Sequence, residues 1–428
     1  MIRVFATFGK IILSMNRQSQ QHRFLLQAVL SLMLIILLVI TLDLLTNRIE
    51  AVKDHAWDFV YYIDIAENGL IGNDHLAVPY AYRALTPLLA RFINLSFNFS
   101  TGTGFKILAY IGVTAQLFGI YYLIRKLKMS FATALVTMLL PGFALFNTKF
   151  LLFDSYRPDL LAYSALVFGF ICLLNRWVVP AVIIATVGVQ MRETPGILAM
   201  IAIYQLILSW KTDRKKIIPL VYAAMIGCAM TLAVVLPRIF IPVKFTQQIL
   251  DPIYDPNFLK VLFGMVLNWK RDINLVYNLA AYLLPLWLLA TPGSLKRAWH
   301  DLGEMRAWFI IYLAVVFLMT LYGGTDMMRY VTYLFIPQAI LAGRLVEQEK
   351  IPLEQILFTL IAVILFNRLF LPFPIWDFNA YLDFYGGYGD RLSTGSLLRM
   401  VELVGWIGLG ILVRWILSPA DWKASWKN

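Results

Sequence analysis

The sequence predicts an all-α polytopic membrane protein with about twelve transmembrane helices, within a range of ten to thirteen, and interfacial helices in its first outer loop. Three observations carry this. Of the 428 residues, 60% are hydrophobic and only 14% charged, where a soluble domain carries about a quarter. Apolar stretches near membrane length recur along the whole chain. The basic residues are scattered between those stretches, so the net charge of +12 reads as a topology signal and not as a nucleic-acid patch.

The first stretch, 24–45, is long enough to span and no small-x-small cleavage site follows it, so it reads as a retained helix and not a signal peptide. The further candidates are 105–124, 130–147, 159–175, 177–191, 195–209, 217–236, 274–291, 307–322, 330–345, 355–371 and 397–417. The pair 177–191 and 195–209 is split by Arg192-Glu193-Thr194-Pro195. The clusters Arg125, Lys126, Lys128 and Lys211, Arg214, Lys215, Lys216 mark the cytoplasmic side and place both termini there. A bacterial inner membrane is the expected location.

Most of the acids then fall on the opposite, outer side, as do the long loops 46–104, 237–273 and 372–396. No internal repeat or low-complexity tract divides residues 1–428, which read as a single membrane domain. Loops of that length in a compact protein are usually functional. Cys172 and Cys228 lie in apolar runs and read as packing residues.

The first outer loop contains "AWDFVYYIDIAENGL" at 56–70. Taken as a helix over 56–66, it places Asp58, Tyr61, Tyr62 and Ile65 on one face, Trp57 and Tyr61 on a neighbouring strip, and Gly69 at its end. Such a helix is expected to lie in the membrane interface, with its rings at headgroup depth. A second amphipathic stretch, "YRALTPLLARFINLSF" at 82–97, follows Pro79.

Two interfacial helices after the first span, with an early aspartate, resemble the C-type glycosyltransferase (GT-C) superfold. The local pattern Trp57-Asp58, Tyr61-Tyr62 and Ile65-Ala66-Glu67-Asn68-Gly69 is similar to bacterial relatives of the GPI mannosyltransferase II and dolichyl-phosphate-sugar transferase families. "YRALTPLLAR" at 82–91 occupies the place of those families' proline-containing helix, with Tyr82-Arg83 and Ala84-Leu85-Thr86 departing from the pattern. "LLPGFALFNTKFLLFDSYRPDLLAY" at 139–163 resembles their proline-interrupted helix and outer hairpin, and Arg192-Glu193-Thr194 their arginine entering a helix. The resemblance covers roughly the first half of the chain. "GGTDMMRY" at 323–330 matches only as a late outer arginine loop.

The resemblance implies transfer of a sugar from a polyprenyl-phosphate donor to a glycan, lipid or protein acceptor on the non-cytoplasmic face. That chemistry needs a base for the acceptor hydroxyl and cations for the leaving phosphate. Asp58 is the expected base; its alternative is a residue that only caps or solvates an interfacial helix. Arg157, Arg192 and Arg329, with Arg83 behind them, are the phosphate candidates, beside Asp159, Glu193 and Asp326. The alternative for these is local ion pairs that stop helices sliding into lipid, although charges at membrane depth are usually functional. Asp64 and Tyr62 complete the expected substrate-binding set.

The cofactor is unknown. A divalent cation, magnesium or manganese, framed by Asp54, His55 and Asp58 is a further candidate, but the sequence holds no metal-spaced histidines and no DxD pair there. The aromatic, acidic loop 371–393 suits either sugar binding or headgroup anchoring. Two other functions stand beside the leading one. A polysaccharide polymerase or ligase should show a dominant late outer loop, and a transporter or flippase of lipid-linked glycans should show half-to-half symmetry with mid-bilayer polar residues. A scaffold is the fourth reading.

Overall fold

The computed structural model describes residues 20–47, 58–212, 217–241, 243, 245–246, 263–323, 326–374 and 377–417. The described chain is all-helical apart from one two-residue parallel pairing, Ala77–Val78 with Phe245–Thr246. In chain order the helices are α1 (Gln20–Leu44), α2 (Phe59–Asn68), α3 (Leu85–Phe97), α4 (Thr101–Lys126), α5 (Phe131–Gly142), α6 (Lys149–Phe153) and α7 (Asp159–Leu174). They continue as α8 (Val178–Gly188), α9 (Gly196–Thr212), α10 (Ile218–Phe240), α11 (Trp269–Tyr282), α12 (Leu284–Leu289), α13 (Pro292–His300) and α14 (Met305–Tyr322). The last are α15 (Met327–Val331), α16 (Phe335–Gln348), α17 (Leu353–Phe366), α18 (Phe378–Tyr385) and α19 (Thr394–Leu417).

Five of these, α1, α4, α10, α14 and α19, are long and apolar enough to cross a membrane. Six more are apolar but shorter: α3, α5, α7, α8, α9 and α17. On α10, Ile218, Val221, Met225, Leu232, Leu236 and Ile239 are exposed, a greasy surface that water would not tolerate and hydrocarbon would. This composition fits an integral membrane protein.

Three of the expected spans are interrupted, each at a point that backbone chemistry explains. The stretch 274–291 is two helices, α11 and α12, because Pro285 cannot donate to the turn before it and starts α12 instead. The stretch 330–345 is α15, a 3-10 turn at Thr332–Leu334, and α16, with Pro337 in the first turn of α16. The stretch 130–147 ends as a regular helix at Gly142, just after Pro141, and a 3-10 turn at Leu145–Asn147 follows.

The first half packs around α4, which contacts α1, α3, α5 and α7, while α7 leads through α8 and α9 to α10. Glycines let α4 and α7 approach closely. A Cβ at Gly112 would lie 2.7 Å from the Leu160 carbonyl oxygen, and one at Gly119 2.5 Å from Val167 Cγ1. Ser164 uses the approach to donate to the Gly112 carbonyl at 2.7 Å. Small residues at helix contacts serve this purpose in lipid, where apolar burial no longer drives association. In the second half α12 packs against α17 and α19, and α15 against α11 and α14.

Two buried cations tie segments distant in sequence, Lys149 across the two halves and Arg414 within the second. Lys149, fully buried, donates to the Leu369 and Leu371 carbonyls at 2.6 Å each. Arg414 of α19 donates to the Leu288 carbonyl at 2.5 Å and to the Ala290 carbonyl, partnering the open C-terminal end of α12.

Gly112→Leu is expected to force α4 from α7 at a cost of about 2–3 kcal/mol or more. Gly405→Leu, where a Cβ meets nothing within 4 Å, is expected to leave stability unchanged. Thermal unfolding of the detergent-purified variants, monitored by gel filtration, checks the difference.

Candidate functional site

The site is built where four separate chain segments meet at one end of the bundle. The first is α2. It starts at Phe59, later than the 56–66 helix expected, and residues 56–57 lie outside the described residues. Asp58 occupies its N-cap position but makes no side-chain capping bond. The capping alternative for Asp58 is thereby overturned: its carboxylate is drawn to other partners. Gly69, at φ +79°, ends the helix, its N–H donating to the Ile65 carbonyl. Arg91 of α3 donates to the Ala66 carbonyl at 3.2 Å and to that of Glu67, fixing the far end of α2.

Two rings of α2 turn into the protein and not toward lipid headgroups. Phe59 and Tyr62 are buried in protein. Tyr61 stacks on Tyr80 at 4.5 Å, and Tyr62 meets the edge of the same ring at 5.5 Å. Tyr80 belongs to the 3-10 turn Tyr80–Arg83 that precedes α3, and its hydroxyl donates to Asp58 Oδ1 at 2.8 Å.

The second segment is the turn between α6 and α7. Arg157, 4% exposed, donates from Nη1 to Asp58 Oδ2 at 2.6 Å and from Nε to Asp154 Oδ2 at 2.5 Å. One guanidinium is therefore shared by two carboxylates. Asp154 is fully buried, and its Oδ1 has no hydrogen-bond partner. Two residues beyond Arg157, Asp159 opens α7, accepting from the Tyr333 hydroxyl at 2.7 Å and from Arg192 Nη1 at 3.3 Å.

The third segment is the turn between α8 and α9, which carries Arg192 and Glu193. Arg83 reaches Glu193 Oε1 from both Nε and Nη2 at 3.0 Å. The fourth is α15, whose Arg329 lies 3.8 Å from Asp326 Oδ2, beyond hydrogen-bond reach. The guanidinium carbons of Arg192 and Arg329 lie 5.2 Å and 5.5 Å from the centroid of one ring, Tyr330.

Burial of this many charges demands pairing, and most are paired. The exceptions are specific. Arg192 is 1% exposed, yet its Nε and Nη2 have no partner. Arg329 is 7% exposed, and its Nε and Nη1 also lack hydrogen-bond partners. Two adjacent buried cations with unmet N–H donors make a site suited to an oxyanion of phosphate geometry.

The electrostatics follow from the pairing. Burial alone would raise the Asp58 carboxyl, but the Arg157 and Arg329 charges and the bonds from Tyr80 and Arg157 outweigh it and hold it at about 2. Burial raises Asp154 despite Arg157. Glu193, with 43% of its side chain exposed, is held below its ordinary value by Arg83 and Arg192. Burial and then Asp58 push the Tyr80 hydroxyl far up, so it remains a donor.

The structure thus brings together Asp58, Tyr62, Arg83, Arg157, Asp159, Arg192, Glu193, Asp326 and Arg329. Asp64 is not among them. It accepts from Asn68 at 2.7 Å and Asn73 at 2.6 Å, ordering the turn after α2, because six residues turn it away from the Asp58 face. Asp54 and His55, the other cation candidates, lie outside the described residues. Among the described residues no group of three His, Cys, Asp or Glu side chains is placed to hold a metal.

Three described rings of the 371–393 loop turn inward, away from either expected role. Phe373, Phe384 and Tyr385 pack on one another and on Phe150, and Asp377 caps α18. Sequence reasoning passed over Asp154, Tyr80, Tyr330 and Tyr333. Asp154 had one signal, its i, i+3 spacing from Arg157. The tyrosines had none, because their roles depend on tertiary neighbours.

No protein family, curated protein or solved structure matches the chain.

The unfolded carboxyl of Asp58 titrates near 3.8 and the folded one at about 2. Its stabilising charge is therefore fully present above pH 3.8 and lost as the pH falls through about 2. The gap in unfolding temperature between the wild type and Asp58→Asn is expected to stay constant from about pH 8 to about pH 5 and to close below about pH 4. A pH series of thermal melts in detergent measures it.

Proposed function

We propose that the chain is a GT-C-like glycosyltransferase of about twelve spans, set in a bacterial inner membrane with both termini cytoplasmic and its site on the outer face. It moves a sugar from a polyprenyl-phosphate donor to a glycan, lipid or protein acceptor. The observation that carries this reading is the pair Arg192 and Arg329, buried and with unmet N–H donors, in the same cluster as the carboxylate of Asp58.

The donor phosphate sits against Arg192 and Arg329. The acceptor oxygen bonds to the sugar's anomeric carbon as the bond from that carbon to the phosphate oxygen breaks. The electron pair leaves with the phosphate, whose added charge the two guanidiniums stabilise. The acceptor's proton passes to Asp58. Arg83 and Glu193 hold the α8–α9 turn behind Arg192, and Tyr333 holds Asp159. The charges gather at one end of the bundle, at helix starts and turns. That arrangement supports surface chemistry over the mid-bilayer path a transporter needs.

Arg192→Gln and Arg329→Gln are each expected to weaken binding of farnesyl phosphate by about tenfold to a hundredfold, leaving farnesol binding unchanged. Calorimetry on nanodisc-embedded protein reads this. The function itself is tested by mass spectrometry of surface glycans and lipid-linked sugars. The hosts compared lack the gene, carry wild type, or carry Asp58→Asn at matched membrane levels. Wild type is expected to restore a sugar that the mutant forms about a hundredfold to ten-thousandfold more slowly, with donor accumulating. Full restoration by Asp58→Asn would remove Asp58 as the base. No glycan change with wild type would remove the transferase.

A further inference from the structure

Asp58 is tied at both oxygens: Oδ2 accepts from Arg157 Nη1 at 2.6 Å and Oδ1 from Tyr80. Its side chain is still 36% exposed, so an acceptor hydroxyl can reach a remaining lone pair, but the carboxylate it meets is one whose charge Arg157 already stabilises. Arg157 is anchored independently of Asp58, through Nε on Asp154 Oδ2 at 2.5 Å. Beside that anchor lies Asp154 Oδ1, a buried acceptor with no partner. The guanidinium therefore has one fixed end, one end lent to Asp58, and a vacant acceptor next to its pivot. The charged and titratable groups facing Asp58 are Arg157 and Asp154 from the α6–α7 turn, Tyr80 from the 3-10 turn, Tyr61 and Tyr62 from α2, and Arg329 from α15.

We infer that Arg157 is a two-position residue that gates the basicity of Asp58. In the empty site its Nη end holds the carboxylate as a weak base. When a phosphate-bearing ligand seats on Arg192 and Arg329, the Nη end turns to the ligand, Nε stays on Asp154, and Asp58 Oδ2 is freed of that cation for the acceptor hydroxyl. Donor binding then arms the base, and the empty enzyme holds only a weak one. The inference rests on the reading above that the anion is the donor phosphate. The electrostatics agree: a carboxylate held at about 2 is a weak base, and removing one cation from it strengthens it. Asp154 and Arg157 act here as positioning residues.

The test uses the full chain in nanodiscs and follows the Asp58 carboxyl by infrared titration, with Asp58→Asn as the difference reference. If that variant does not purify, ¹³C-aspartate labelling with Asp58→Glu assigns the band. Farnesyl phosphate is expected to raise the Asp58 midpoint by about one pH unit or more, and farnesol to leave it unmoved. In Asp154→Asn, where Arg157 has lost its pivot, the rise is expected to disappear. Calorimetry on the same samples separates the failures. Farnesyl phosphate that binds without moving Asp58 overturns the gate and leaves the anion site standing, and so does a rise that survives in Asp154→Asn. Farnesyl phosphate that binds no better than farnesol overturns the anion site and the gate together.

Discussion

The arrangement depends on one interaction, the Arg157 guanidinium shared between Asp58 and Asp154. A charge buried at the end of an apolar bundle is costly unless its hydrogen bonds are met close by. Arg157 meets that need with carboxylates from two segments almost a hundred residues apart, so it ties the start of α2 to the α6–α7 turn. Once α2 is held there, Tyr80 follows, because its hydroxyl completes Asp58 and its ring is gripped by Tyr61 and Tyr62. The α7 N-terminus follows too, since Asp159 lies two residues beyond Arg157 and fixes Arg192.

The apolar framework is what lets so few residues set this geometry. Lipid offers neither helices nor loops any drive to bury apolar surface, so close backbone approach must come from shape. The glycines of α4 supply it along α7, and α7 carries the charged turn at its start. Errors of packing in the greasy part of the bundle are therefore transmitted to the charged end.

Much of this was legible in the sequence, and the reason is physical. A chain that carries few charges places them where burial is avoided or where pairing is forced. Arg83, Arg157, Arg192 and Arg329 could therefore be singled out one at a time as charges beside apolar runs. Their convergence could not, because it depends on the α4–α7 approach and on where Pro285 and Pro337 interrupt α11–α12 and α15–α16. Composition also misplaced the aromatics. Tyr62 and Phe59 look like headgroup anchors on a helical wheel, yet they pack inward, since an amphipathic helix presents the same pattern to a protein core as to a lipid surface. Asp64 and Asp58 are chemically alike in sequence, and only the helical turn between them sends one to Arg157 and the other to Asn68 and Asn73.

The contact of Arg414 with the end of α12 bears on how the chain is made. The carbonyls of Leu288 and Ala290 emerge from the ribosome well over a hundred residues before the guanidinium that receives them. Packed inside the bundle they have no water to turn to. The short helix between Pro285 and Ala290 therefore remains unfinished until α19 arrives. Assembly of this part of the bundle waits on α19, and a chain released before Arg414 leaves a wound in its own interior far from the cut.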